Sequence, residues 1–293
     1  MGIALIFDGI IVTDPLQTIT ILEPDSDAER IAGYFTDVDS EQFSALNTFI
    51  KALKSAGIFS KLSYLMIPKL ASNVSEALQN VLSAQKNQPS SPTGWEMDSD
   101  NCLKPIPATV TNIVLTPYMV NTEGISSKNF STGVSFVLGE KDPDVASEII
   151  MGVNMPGSLT QSVGIKIYRD EGGAEYNDGT QAVFSGSNNQ FSLSVDADGV
   201  LSDEVARKSF YLKDSQNTLN SITTKNFKAD TEASISTTPS LKLGYGYSTG
   251  AYHRTFWGSY RLLWVSEVLE KQELLDMHLA VRAFIDALEG LSE

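Results

Sequence analysis

The chain has 293 residues, with 36 acidic and 21 basic side chains, and its formal net charge is −15. This charge argues against nucleic acid as a partner, because phosphate contacts require clustered lysine and arginine. The hydrophobic fraction of 42% supports a packed core, so disorder throughout the chain is excluded. The one cysteine, Cys102, excludes an internal disulfide and a zinc site built on several thiolates. Two histidines, His253 and His278, leave little for histidine-based metal binding or catalysis.

The N-terminal sequence and the lengths of the apolar stretches indicate whether the chain carries a secretory signal or a membrane span. Residues 2–12 are apolar apart from Asp8, and the first basic residue is Arg30. A secretory signal places a positive region before an unbroken apolar stretch, and no window reaches the roughly 18 to 20 apolar residues that a membrane span requires. We therefore expect a protein made in the cytoplasm without a membrane anchor, which leaves a cell by lysis or within a larger particle.

Charge is distributed unevenly along the chain and suggests three regions. The net charge is −7 over residues 1–40, +3 over residues 41–93 and −11 over the remainder. We therefore predict an N-terminal β arm for docking at residues 1–34, a helical connecting segment at 35–93 and a β domain at 94–293. A chain that starts near Tyr34 is expected to fold without the arm.

The predicted arm is rich in β-branched residues, which favour strands. Two short strands around a turn at residues 14–15 fit its pattern, and the first contains Ile3, Ile6, Ile10 and Val12. A strand pair this short is marginal alone and requires another surface to cover it. Two interpretations remain open. The hairpin packs on its own domain, or these four residues dock onto a partner protein.

Helical periodicity occurs in the middle region and at the C-terminus. Apolar residues spaced by three and four predict a helix that begins with Ser40 as its cap and ends before Gly57. A second, weaker helix is predicted over residues 74–84. A broad apolar stripe predicts an amphipathic closing helix over residues 270–289. His278 lies on that stripe, and we expect it to be a hydrogen-bonded core residue and not a ligand.

From Trp95 onward, short β segments recur about every ten residues and are separated by turn sequences. The predicted strands are 110–118, 133–138, 148–153, 162–168, 181–184, 190–195, 208–213, 241–245 and 260–265. Because no helix falls between them, the pattern indicates an antiparallel sandwich or jelly roll and not a parallel sheet.

The segment that precedes the closing helix carries a family resemblance. It reads FWGSYRLLWV over residues 256–265, followed by Leu269-Glu270 and Glu273-Leu274. This pattern of aromatic, glycine, apolar strand and short helix start resembles the last strand of laminin G-like, or concanavalin A-like, jelly-roll domains. With the helix that ends in ALKSAGIFSKL at residues 52–62, the chain is similar to laminin G-like proteins of tailed bacteriophages and prophages over roughly residues 35–290.

The resemblance implies a mainly β, concanavalin A-like or laminin G-like jelly-roll sandwich with an N-terminal helical segment and a C-terminal amphipathic helix. It also implies a virion-associated protein, a homo-oligomer displayed on the particle as a head decoration or as a tail or fibre component. Its partners would be other capsid or tail proteins, bound through the N-terminal region. We expect neither a nucleic-acid partner nor a membrane partner.

The sequence lacks several common catalytic and metal-binding motifs. Glucanases of this fold carry a Glu-x-Asp-x-x-Glu run on one strand, and the chain has none. It also lacks a P-loop and a HExxH motif. The stretch at 196–207 departs from an EF-hand because Arg207 stands where the twelfth ligand belongs. We therefore expect no metal, no cofactor and no enzymatic activity, with a glycan hydrolase as the less favoured alternative.

The acidic clusters at 96–100, 142–148 and 170–175 are expected in solvated turns. Candidate glycan-binding residues lie in a glycine-rich stretch and are Tyr247, Tyr252, His253 and Trp257. Sugar sites of this fold combine exposed aromatic rings with a few polar groups, although packing or subunit contact is the favoured interpretation of this cluster. The predicted function is a non-enzymatic structural protein of a bacteriophage virion. The alternative is a lectin-like receptor-binding module that recognises host surface glycans.

Overall fold

The structure is a computed structural model of the chain. It describes residues 5–7, 10–12, 23–83, 95–106, 115–119, 130–139, 151–154, 173–176, 180–183, 190–196, 206–215, 218–219, 223–228, 240–243, 247–248, 251–252 and 258–290. None of the helices in these ranges is long and apolar enough to cross a membrane.

Two three-residue strands, β1 (Leu5–Phe7) and β2 (Ile10–Val12), form a separate antiparallel pair near the N-terminus. Leu5 is the partner of Val12, and Phe7 is the partner of Ile10. The prediction of one strand through residues 3–12 is therefore wrong, because this apolar run pairs with itself. Asp-Gly at positions 8–9 is a strong signal for such a hairpin. Ile3 and the turn predicted at residues 14–15 lie outside the described residues.

The next elements are α1 (Ser26–Ala32), α2 (Ser40–Ser55), a 3-10 turn (Phe59–Lys61), β3 (Leu62–Met66), a second 3-10 turn (Pro68–Leu70) and α3 (Val74–Ala77). The bounds of α2 confirm the predicted helix, although its cap is Asp39, whose carboxylate accepts hydrogen bonds from the backbone of Glu41 and Gln42. Gly57, with φ of 71°, occupies the left-handed region that the sequence predicted for it.

Two local predictions in this part of the chain are wrong. Residues 26–32 were assigned to a β arm but form α1, which Asp25 caps by accepting a hydrogen bond from the Asp27 backbone. The helix predicted over 74–84 is the single turn α3. The Asn80 side-chain oxygen accepts hydrogen bonds from the backbone of Leu65 and Leu82, and such side-chain bonds to the backbone compete with a continuing helix.

The remaining elements are strands, followed by the closing helix. They are β4 (Trp95–Met97), β5 (Leu103–Pro105), β6 (Leu115–Met119), β7 (Phe130–Leu138), β8 (Met151–Asn154), β9 (Gly173–Tyr176), β10 (Thr180–Val183), β11 (Gln190–Asp196), β12 (Ala206–Ser215), β13 (Thr218–Leu219), β14 (Thr223–Lys228), β15 (Ser240–Leu243), β16 (Tyr247–Ser248), β17 (Ala251–Tyr252), β18 (Gly258–Ser266) and α4 (Lys271–Glu289). Every predicted strand overlaps one of these except 162–168, which lies outside the described residues. The closing helix predicted over 270–289 is confirmed as α4.

A nine-stranded antiparallel sheet forms the centre of the fold. Its main path is β13-β12-β11-β7-β18-β5-β4, with β14 paired to β12 and β3 paired to β18. Strands β6, β15 and β8 form a smaller sheet, and β9–β10 and β16–β17 form separate pairs. Every strand pairing in the described ranges is antiparallel, so the chain has a mainly β fold with helices, as the sequence predicted at that level.

The hydrophobic core lies where the helices cover the central sheet. Every residue of β18 is buried, and the Phe49 ring on α2 stacks on the Phe284 ring on α4 with centroids 4.7 Å apart. One cluster of buried residues contains Ile31 of α1, Leu65 of β3 and Trp264 of β18, so it includes residues from all three regions that the charge distribution suggested. Charged residues lie mainly on the surface of a protein. Segments defined by their net charge therefore need not coincide with the segments that form the core.

Candidate functional site

The short strands β16 and β17 bring two of the four candidate glycan-binding residues together. Tyr247 and Tyr252 are direct Cα partners in the antiparallel pair, and Ser248 is the partner of Ala251. This pair is a two-stranded sheet of its own, separate from the nine-stranded sheet. His253 and Trp257 lie outside the described residues. The backbone therefore places two tyrosine positions opposite each other, as nearest neighbours across the strands.

Two opposed tyrosines suit a sugar ring as a ligand. An aromatic side chain combines an apolar ring with, in tyrosine, a hydroxyl that donates and accepts hydrogen bonds. A sugar ring also combines an apolar face with a rim of hydroxyl groups. Connecting segments held by a rigid scaffold are common positions for binding residues. In chain order, this strand pair falls between β15 of the small sheet and β18 of the central sheet.

The second histidine of the chain lies in the core. The Ser192 hydroxyl on β11 is 3.0 Å from Nδ1 of His278 on α4, and both residues have no exposed surface. This contact confirms the prediction of a hydrogen-bonded core histidine. Burial, and secondarily the positive charge of Arg282, lowers the pKa of His278 to about 4. The pair links α4 to the sheet with a neutral imidazole at pH 7.

Glu96 of the acidic cluster at residues 96–100 lies on β4 and not in the predicted turn, whereas Asp98 and Asp100 lie in the turn between β4 and β5, which is tied to the central sheet. One Asp98 carboxylate oxygen accepts hydrogen bonds from the backbone of Asp100 and Cys102 at 3.0 and 2.8 Å, and the other accepts from the Ser259 hydroxyl at 2.6 Å. Burial, then the negative charge of Asp98, raises the pKa of the Cys102 thiol to about 12. This thiol stays protonated at neutral pH, which is unsuited to a nucleophile or a metal ligand.

In the part of the chain that the structure describes, no group of three or more His, Cys, Asp or Glu side chains is arranged to hold a metal ion. The carboxylates at 142–148 and the turn at 197–205 lie outside that part.

A groove between α2 and α4 was not anticipated from the sequence. It has a volume of about 360 Å³, and five alanines line it, namely Ala45, Ala52, Ala280, Ala283 and Ala287. The three alanines on α4 recur at spacings of three and four, so they form a second small apolar face beside the stripe that packs on the core. The spacing of these alanines could have indicated the second face from the sequence. The apolar stripe through His278 is the stronger pattern and was the one interpreted.

The similarity of this chain to known proteins is limited to weak structural matches. No family model matches the chain, and no curated protein matches it. A sialidase CBM40 of Ruminococcus gnavus bound to alpha2,3 sialyllactose is 17% identical, with a TM-score of 0.33, over 52% of this chain and 82% of that one. A Trypanosoma rangeli sialidase in complex with the inhibitor DANA is 10% identical, with a TM-score of 0.42, over 81% of this chain and 38% of that one.

A third solved structure, a leech intramolecular trans-sialidase complexed with 2,7-anhydro-Neu5Ac, is 14% identical, with a TM-score of 0.34. It is matched over 56% of this chain and 26% of its own. Likeness at these scores carries no conclusion about fold, ligand or chemistry.

Proposed function

We propose that this chain is a non-enzymatic binding protein whose β domain, a jelly roll, recognises surface glycans through Tyr247 and Tyr252. The observation that carries the proposal is the strand register, which makes these two residues direct partners in a strand pair outside the central sheet. His253 and Trp257 follow in the same glycine-rich stretch and complete the proposed site.

The chemistry of the buried nucleophilic and basic groups supports a non-enzymatic role. Cys102 has its thiol protonated, and His278 has its imidazole neutral and hydrogen-bonded inside the core. Both side chains are buried, with exposed fractions of 1% for Cys102 and 0% for His278. The function proposed here therefore depends on shape and stacking and requires no proton transfer.

Substitution of either tyrosine by alanine is expected to weaken glycan binding by about tenfold. Loss of one stacked ring removes roughly 0.5 to 1.5 kcal/mol beyond its buried area, and 1.4 kcal/mol is a factor of ten in the dissociation constant. Wild type is first applied to an array of bacterial surface polysaccharides and animal glycans, and the bound glycan is then titrated by calorimetry.

Two controls belong to this experiment. Tyr247→Phe keeps the ring and should retain most of the affinity, and Val137→Ala changes a side chain that is 43% exposed on β7 and should have no effect. Wild type that binds no glycan, or equal affinity of wild type and the Tyr247→Ala/Tyr252→Ala double variant, would contradict the proposal.

The N-terminal strand pair supports a second candidate, attachment to a phage particle. We propose that β1 and β2 dock onto another virion protein of the head or tail, in keeping with the resemblance to phage laminin G-like proteins. Both strands are apolar, and they form a sheet of two strands by themselves. Such a pair is marginal in water and gains stability when a partner surface covers it. We also propose that copies of the chain associate with one another through the β domain.

A chain that lacks residues 1–22 is expected to be absent from purified particles while it keeps the melting temperature of the full chain. Incorporation is measured by immunoblot of particles from a host that supplies either form. Ile6→Asp is the matched point variant, because it places a charge in β1 without removing any chain. Normal incorporation of both altered forms would rule out the docking role of the pair.

A further inference from the structure

The groove between α2 and α4, here called the helical groove, has the form of a docking site for a helix. On α2 it extends from Glu41 to Ala52, which at 1.5 Å per residue is about 16 Å, or three helical turns. Its walls carry alanine where larger side chains would close it, and the stacked rings of Phe49 and Phe284 form its floor. Small side chains allow a third helix axis to approach closely.

The surface beside the groove on α4 is also apolar. Leu279 precedes the lining residue Ala280 and is 39% exposed. Within the described residues, Leu279 and Val137 are the two large hydrophobic side chains that are exposed. With Ala283 and Ala287 it forms a line at spacings of four residues, which is one continuous strip along a helix.

Charge restricts which partner fits this surface. Glu41 is the one charged residue among those lining the helical groove, and it takes part in none of the ion pairs found among the described residues. The two lysines of α2 are engaged elsewhere. Lys51 donates to the Glu23 carbonyl at 2.5 Å, and Lys54 is ion-paired with Asp25 and Asp27 at 2.6 Å. The residues that line the groove therefore carry one negative charge, that of Glu41.

We propose that the helical groove binds an amphipathic α-helix of a partner protein that presents a small apolar face flanked by lysine or arginine. A basic flank would complement Glu41 and the overall charge of −15. At this groove a second copy of this chain would bring the same negative charge to Glu41, which disfavours it as the occupant. An anionic membrane surface is repelled for the same reason. This site is distinct from the proposed glycan site and does not depend on it.

A helix library tests the proposal directly. The probe is a displayed library of 18-residue helices with Ala or Leu on the apolar face and Lys or Glu at each flanking position. The full chain is the bait, and each recovered helix is then titrated against wild type and against the Ala283→Trp variant. We expect the retained helices to carry Lys at the flanks and to bind Ala283→Trp at least tenfold more weakly, because the indole fills the groove.

The charge of the groove is tested separately with Glu41→Lys. This variant should bind Lys-flanked helices at least fivefold more weakly and should select Glu at the flanks instead. Glu29→Lys is the matched control, because it makes the same change of charge on the exposed side of α1 and should leave binding unchanged. Melting temperatures of the three variants show whether each has folded.

Several outcomes would overturn the proposal. Recovery of no helix, selection of Glu at the flanks by wild type, or equal binding to wild type and Ala283→Trp each contradicts it. A dimer in sedimentation that Ala283→Trp dissociates would assign the groove to a second copy. Binding to phosphatidylserine vesicles that is lost in the same variant would assign it to a membrane surface.

Discussion

A chain that begins at Tyr34 is expected to unfold at a melting temperature roughly 6 to 30 °C below that of a chain that begins at Glu23. The shorter chain lacks α1, whose Ala28 and Ile31 have no exposed surface and belong to the common core. The structure thus reverses the sequence-based expectation that residues before Tyr34 are dispensable for folding. Two of the eight acids that suggested an arm, Asp27 and Glu29, lie on this helix, which Asp25 caps and which packs on α2.

The size of this effect follows from the contacts that α1 makes. Loss of a buried isoleucine side chain alone costs about 2 to 5 kcal/mol. The Asp25 backbone N–H donates a 2.8 Å hydrogen bond to Oδ1 of the buried Asn47, and the shorter chain lacks this donor. A buried polar group without its hydrogen bond costs about 1 to 3 kcal/mol. For a chain of this size each kcal/mol lowers the melting temperature by about 2 to 4 °C.

Differential scanning calorimetry of both chains checks the prediction. Ile31→Ala in the full chain is the point variant, and it should reproduce a large part of the loss. Glu29→Ala, on the exposed side of the same helix, should change the melting temperature little. Equal melting temperatures for the chains that start at Glu23 and Tyr34 would show that α1 does not contribute to the core.

The free energy of unfolding is expected to fall by up to about 3 kcal/mol as the pH is lowered from about 6.5 to about 4, through His278. Burial lowers the pKa of this residue from 6.5 to about 4 in the folded protein. In that range the unfolded chain binds a proton at His278 and the folded chain does not, so acid favours unfolding. The contribution is fully present above pH 6.5 and is lost by about pH 4, at about 1.4 kcal/mol per unit.

Urea denaturation at several pH values measures this loss, and His278→Gln isolates it. The lowered pKa values of Asp25, Asp27 and Glu76 also reduce stability in acid, but they act in both proteins and cancel in the difference. Arg282→Gln removes the charge that helps to hold the pKa of His278 low, so its loss of stability should be smaller than that of wild type. Identical pH profiles for wild type and His278→Gln would contradict the assignment.

Some elements could be predicted because their signals are local. The apolar spacing along α2 and α4 reports one face of a helix, and both helices have the predicted extent within one or two residues. The role of His278 was predictable for the same reason, since its position on the apolar stripe fixes the side of α4 that it occupies. Strand alternation likewise placed β7, β11, β12 and β18.

Other features depend on contacts between distant residues. The length of α3 is set by Asn80, which bonds to Leu65 fifteen positions earlier, and α1 is held by Asn47 and Lys54 on another helix. In the candidate site, the sequence indicated a cluster of aromatic residues, but only the register of β16 and β17 made Tyr247 and Tyr252 partners.

The sequence by itself determined the excess of acidic charge, because charge follows from composition alone. It also determined a mainly β chain from Trp95 onward and the two amphipathic helices, because periodicity is a property of residues that are close in the sequence. The tertiary structure decided that α1 belongs to the core and that α2 and α4 leave an alanine-lined groove between them. Burial and grooves arise where separate elements meet, and no single segment of the chain contains that information.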